Sequence, residues 1–115
     1  MKLRVLGTML FVSALGATPA LAQSPGVTGT EVTIGITTPL SGPAAAWSAT
    51  ALGAEAWAKH VNDQGGVHGR KIKIVMKDDG YNPGRALANV NEMKDSVFAL
   101  VGLLGTAVLN ATKDS

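Results

Sequence analysis

The chain contains no cysteine. That one absence excludes disulfides, cysteine-bearing zinc sites, thiol nucleophiles and a lipidated N-terminal cysteine together. Charge is scarce as well, at 16% of residues, and neither sign dominates. The formal net charge of +2 comes from 10 basic and 8 acidic residues. Lys2 and Arg4 lie in a segment that reads as removable, and without them each sign counts 8. A neutral mature chain has no electrostatic reason to seek DNA, RNA or an anionic membrane. No apolar run reaches the length of about 20 residues that a membrane-spanning helix needs. With 115 residues the chain holds one small domain at most. Its composition suggests neither disorder nor a coiled coil.

What is present begins with a leader. Lys2 and Arg4 make a positive start, Val5 to Leu15 is mostly apolar, and Pro19 breaks any helix. Ala20-Leu21-Ala22 then has the small-x-small pattern that a signal peptidase reads. The sequence predicts a cleaved signal peptide over residues 1–22, with the cut between Ala22 and Gln23. With no cysteine to carry a lipid, the free product fits a Gram-negative periplasm. Residues 23–30, with Pro25, Gly26 and Gly29, read as a flexible lead-in.

The mature chain alternates strand and helix patterns. Val32 to Thr37 is rich in β-branched residues, with Val32, Ile34 and Ile36 on one face. A loop punctuated by Pro39, Gly42 and Pro43 follows. The next helix, from Ala44 or Ser48 to Asn62, is expected to bury Ala54, Trp57, Ala58 and Val61. On its wet side Glu55 and Lys59 stand one turn apart. Gly65 and Gly66 are expected to end the helix and reverse the chain. Lys71 to Lys77 reads as a second strand and alternates Lys and Ile at first, which suggests one wet face or an edge position. Asn82-Pro83 opens a second helix with a capping residue and a tolerated N1 proline. Ala86, Leu87, Val90 and Met93 make its buried stripe. Val97 to Val101 has no polar residue, the pattern of a parallel strand covered on both faces. Thr106 starts a third helix.

This alternation predicts an α/β fold, a Rossmann-like parallel sheet with flanking helices. In the order 2-1-3, the loops after the first and third strands diverge. A crevice then opens between them at the C-terminal strand ends, where open α/β sheets bind ligands.

Four segments also resemble a known family. They are Ile34-Gly35-Ile36-Thr37-Thr38-Pro39-Leu40-Ser41-Gly42-Pro43, Asn62-Asp63-Gln64-Gly65-Gly66-Val67-His68-Gly69-Arg70-Lys71, Asp78-Asp79-Gly80-Tyr81-Asn82-Pro83 and Val97-Phe98-Ala99-Leu100-Val101-Gly102. In this order they are similar to the opening of type I periplasmic binding proteins. The Leu/Ile/Val-binding proteins and their amide, urea and aromatic-acid relatives are the nearest kind. The resemblance implies that residues 31–115 are a partial N-terminal lobe, truncated inside that lobe. In the family a second, similar lobe follows, and solute is trapped between the two by hinge closure. It further implies a small-molecule solute and, for a full-length protein, an ABC permease complex as partners. No cofactor is expected.

The resemblance also marks residues. Trp47 ends the first loop, where the family often has an aromatic facing the cleft; it could instead pack on the first helix. Gly105 and Thr106 match the loop whose small and hydroxyl residues hold the solute's polar groups. Thr106 could equally be an N-cap. Ala107 and Val108 depart from the run of hydroxyl residues seen in some members, which implies fewer polar contacts. Ser41 could line the same cleft, or Ser41-Gly42-Pro43 could be turn chemistry.

Enzyme signals are absent from the pattern. Asp78 and Asp79 are adjacent on a strand and so face opposite ways, which argues against a carboxylate dyad and for turn and cap roles. His60 and His68 lack metal-ligand spacing. Gly65 to Gly69 comes before a strand, the wrong order for a phosphate cradle, and Gly102 to Thr106 lacks a P-loop lysine. Solute capture for ABC import is therefore the leading expectation. A truncated, non-binding product that associates through its uncovered sheet edge is the alternative. A small exported α/β enzyme is the least supported.

Overall fold

The computed structural model describes residues 24–115, so the expected leader and its cleavage between Ala22 and Gln23 lie outside the described residues. Three parallel strands, β1 (Glu31–Thr38), β2 (Lys71–Asp78) and β3 (Ala99–Val101), form one sheet in the order β2-β1-β3. Helix α1 (Ala49–Asp63) joins β1 to β2, α2 (Pro83–Met93) joins β2 to β3, and α3 (Thr106–Thr112) follows β3. The expected class and strand order both hold. Right-handed crossovers send α1 to one face of the sheet and α2 to the other. Helix α2 packs on β1 and on α3.

Central strand β1 shows the two faces. The Gly35 backbone lies against Met93, Val97 and Leu100, and Asn89 of α2 donates to the Thr37 hydroxyl at 3.0 Å. By alternation Ile34 and Ile36 face the α1 side, and Ile36 is buried. On α2 the stripe of Ala86, Val90 and Met93 is buried as its spacing predicts. Asn82 caps that helix, accepting from the Arg85 N–H at 3.0 Å, with Pro83 in the first turn.

Helix α1 departs from expectation. A short 3-10 turn, Ala45–Ser48, precedes it. Ala51 and Ala58 are its buried residues, with Ala54 and Val61 half-buried. Trp57, expected in the core, is 65% exposed. At about 100° per residue it falls on the rim of this stripe. Small alanine side chains let the helix sit close to the sheet, and the large indole is left outside, beside the His60 ring at 5.3 Å. Lys59, expected beside Glu55, pairs instead with Asp63 at 2.9 Å. Both partners are exposed, so the pair contributes little.

After α1, Gly65 and Gly66 reverse the chain at φ 106° and 81°. A Cβ at Gly66 would come 2.0 Å from the Arg70 carbonyl oxygen, so no other residue fits that turn. Asn62 closes the outer edge of β2. Its amide donates to the Ile72 carbonyl and its oxygen accepts from the Ile72 N–H, both at 2.7 Å. Lys71 and Lys73 are exposed on this edge strand, which blunts it against pairing with other chains.

Strand β3 also differs from its expected burial. It pairs with β1 over three residues and is an outer strand among the described residues. Phe98 and Val101 are 56% and 41% exposed. Residues 24–30, expected as a flexible lead-in, are tied to the sheet. The Gly26 carbonyl accepts from the Thr33 N–H at 2.7 Å, and Arg70 Nε donates to the Thr28 carbonyl at 2.9 Å.

Candidate functional site

All three strands point their C-terminal ends the same way, so the loops after β1, β2 and β3 gather at one end of the sheet. Two adjacent aspartates at the end of β2 organise the first two loops. Asp78 accepts from the Leu40 and Ser41 amides at 2.9 and 3.2 Å, from the Ser41 hydroxyl at 2.5 Å and from the Gly80 amide at 2.9 Å. The Ser41 hydroxyl, followed by the Gly80 amide, holds the Asp78 carboxyl down at about 2. Every one of these donors favours the charged form. The Ser41 side chain is thus engaged with Asp78, at the base of the first loop.

Asp79 turns the opposite way and is fully buried. It accepts from the Thr37 hydroxyl and from the Tyr81 N–H, each at 2.8 Å. The two carboxylates therefore serve different partners, as strand alternation requires. Asp79 fixes the start of the second loop on the end of β1. Gly80 and Tyr81 then both take positive φ, 57° and 63°.

This places the Tyr81 ring between the other two loops. On one side it meets Trp47 edge to face, with centroids 5.6 Å apart and planes at 89°. On the other it covers Gly105, where a Cβ would lie 2.6 Å from the Tyr81 hydroxyl. Trp47 sits in the short 3-10 turn and is 54% exposed. Its ring packs on Tyr81 of the second loop. Gly105, at φ 96°, is the residue before the first turn of α3 and has no side chain to cap it. Thr106 is the first residue of α3 and is exposed. It is not the N-cap, which corrects one of its two expected readings.

The structure thus joins Trp47 to Gly105 through a residue that the sequence did not single out. Tyr81 was missed because an aromatic residue at positive φ is uncommon. Its signal was positional: it follows Gly80 and precedes the capping Asn82. Among the described residues no group of His, Asp and Glu could hold a metal ion. His60 and His68 are exposed.

Residues 31–115 match the family model of the periplasmic binding proteins. The chain is 31% identical to Leu/Ile/Val-binding protein homolog 3 of Brucella melitensis over 99% of its own length and 30% of that protein. Among solved structures it resembles the fatty acid ABC transporter substrate-binding protein from Thermomonospora curvata. That match has 35% identity and a TM-score of 0.74, over 80% of this chain and 24% of that one. It also resembles the branched-chain amino acid transporter substrate binding protein LivJ from Streptococcus pneumoniae in complex with isoleucine. There the identity is 27% and the TM-score 0.68, over 72% of this chain and 25% of that one. The chain spans less than a third of the length of the curated relatives it matches. These relatives are substrate-binding proteins and not enzymes, which agrees with a site built of aromatic, glycine and hydroxyl residues around structurally engaged aspartates. Over residues 31–115 the chain belongs to the periplasmic binding protein family, in its type I form typified by the Leu/Ile/Val-binding proteins.

Proposed function

We propose that the protein is the periplasmic solute-binding component of an ABC importer and that this chain carries one wall of its cleft. The solute is a branched-chain amino acid or a related small amino acid, amide or carboxylate. One observation carries this reading: Trp47, Tyr81 and Gly105 meet where three parallel strands end, the position at which open α/β sheets bind ligands. Trp47 covers the apolar end of the solute, while the Thr106 hydroxyl and the backbone at Gly105 take its polar end. Ser41 contributes by fixing the loop that carries Trp47. A leader cleaved between Ala22 and Gln23 delivers the protein to the periplasm, where the membrane permease is its partner.

The test uses the gene product carried past Ser115, titrated by calorimetry with the twenty amino acids, urea, short amides and benzoates. Thr106→Val leaves a polar group of the solute unpaired and costs roughly 1–3 kcal/mol of binding. Trp47→Ala weakens large apolar solutes more than small ones. Unchanged affinity in both variants would mean that the site lies elsewhere. A second reading, association with other chains in place of binding, is favoured by the exposed Phe98 and Val101 beside the outer edge of β3. Genomic sequence past the Ser115 codon separates the two: a frame encoding a second lobe supports capture, and a stop codon supports association.

A further inference from the structure

Resting on the reading of these loops as a solute half-site, the geometry points to Tyr81 as the residue that determines which solute the site prefers. It acts by positioning Trp47. Three observations converge on it. The Tyr81 backbone holds φ 63°, a conformation that costs a side-chain-bearing residue and that glycine adopts freely. A turn needing only that geometry would be better served by a second glycine after Gly80, so the ring has to supply something in return. The ring takes up the room that any side chain at residue 105 would fill, since a Cβ there would come within 2.6 Å of it. Its other side braces Trp47 at a right angle, 5.6 Å between centroids.

Trp47 has few other means of holding its place. It is 54% exposed, and its four-residue turn buries no side chain. Tyr81 is itself 38% exposed, so the pair still presents aromatic surface to solvent. Two rings at 89° form the walls of a corner and not a flat stack. A flat apolar group can lie on one wall with its edge to the other, a favourable arrangement for both contacts. A short branched aliphatic group has neither a flat face nor a ring edge to offer the two walls. Within the solutes proposed above, the corner therefore favours the related amino acids and carboxylates that carry a planar apolar group, such as an aromatic amino acid or an aromatic carboxylate, over the branched-chain ones, and so narrows that reading.

The test measures a preference, which a merely structural role would not move. The gene product carried past Ser115 is titrated with phenylalanine, benzoate, valine and alanine, as wild type, Tyr81→Phe and Tyr81→Gly. Glycine is at ease at positive φ, so Tyr81→Gly keeps the turn while removing the brace, and its melting temperature checks that the fold survives. The expected result is a wild-type preference for phenylalanine over valine that falls about fivefold in Tyr81→Gly, the scale of one aromatic pair. Tyr81→Phe keeps the ring and retains the preference. A folded Tyr81→Gly protein with the wild-type ratio overturns the role of Tyr81 and leaves the half-site standing. A wild type that favours valine over phenylalanine overturns the planar preference. A wild type that takes none of the solutes tested overturns the half-site reading, and this inference with it.

Discussion

The two flanks of β1 are built differently. On the β2 side, pairing runs in register for eight residues, from Glu31 with Lys71 to Thr38 with Asp78. Asn62 occupies the outer backbone groups of Ile72, and Asp78 and Asp79 bind the end of the sheet to its loops. On the β3 side, pairing covers three residues, from Ile34 with Ala99 to Ile36 with Val101. Large apolar residues stand half in solvent there. One flank closes itself with local hydrogen bonds. The other presents the kind of apolar surface that marks a contact with more protein. Tyr81 and Trp47 belong to the closed flank, while Gly105 and Thr106 belong to the open one, so the candidate site lies across the boundary.

The largest expected effect breaks the closed flank. Asp79→Ala removes the acceptor of both the Thr37 hydroxyl and the Tyr81 N–H at a fully buried position. Leaving buried donors unsatisfied costs the desolvation of each, so the chain should lose about 3 kcal/mol in a urea titration. The Tyr81 loop should loosen along with the sheet end, visible as faster amide exchange at Tyr81 and Asn82. A loss under about 0.5 kcal/mol, the ordinary value for a surface change, would mean that the flank is not closed by this aspartate.

Much of this asymmetry was legible in the sequence. The Lys-Ile alternation from Lys71 marked the edge strand, and glycine pairs and Asn82-Pro83 marked the helix ends; the unbroken apolar run at Val97 instead predicted a strand covered on both faces, which β3 is not among the described residues. Those signals are local, set by backbone propensity and side-chain period. The misreadings share a different origin. Trp57 sits on the rim of an apolar stripe, and which way a helix rolls depends on how closely alanine lets it approach the sheet. The cluster of Ser41, Asp78 and Arg85, in which Arg85 pairs with Asp78 at 3.5 Å, joins a loop, a strand end and a helix. Tyr81 needed knowledge that Gly105, far along the chain, would leave it room. Contacts of this kind follow from the assembled sheet and leave little trace in any one segment.

The open flank predicts a smaller effect of another type. Phe98 is 56% exposed, so Phe98→Ser removes little packing and should shift stability by no more than about 0.5 kcal/mol. Its effect should appear in association. The chain ending at Ser115 is expected to sediment as a concentration-dependent mixture, and Phe98→Ser should move it toward monomer. A sharply melting, reversible monomer with Phe98 intact would erase the contrast between the flanks.

The smallest effect concerns acid, and it tests whether Asp78 holds the first loop as a carboxylate. Its folded value of about 2 lies below the ordinary aspartate value near ~3.9. A carboxylate depressed on folding stabilises the fold fully above its ordinary value, and that contribution disappears as pH falls through the folded one. The window runs from about pH 4 down to about pH 2. Asp63 is depressed too, by the Lys59 hydrogen bond and charge, so some acid sensitivity remains in any Asp78 variant. Asp78→Asn keeps an oxygen for the Leu40 and Ser41 amides but removes the charge that these donors favour. Stability measured against pH should therefore fall less steeply for Asp78→Asn than for wild type across this window, with parallel curves at higher pH. The Trp47 loop should also report the change, since Ser41 loses its charged partner: in wild type, acid should alter the tryptophan emission before the sheet unfolds. Superimposable pH profiles for the two proteins would mean that the closed flank owes nothing to the Asp78 charge and rests on Asp79 and Asn62 alone.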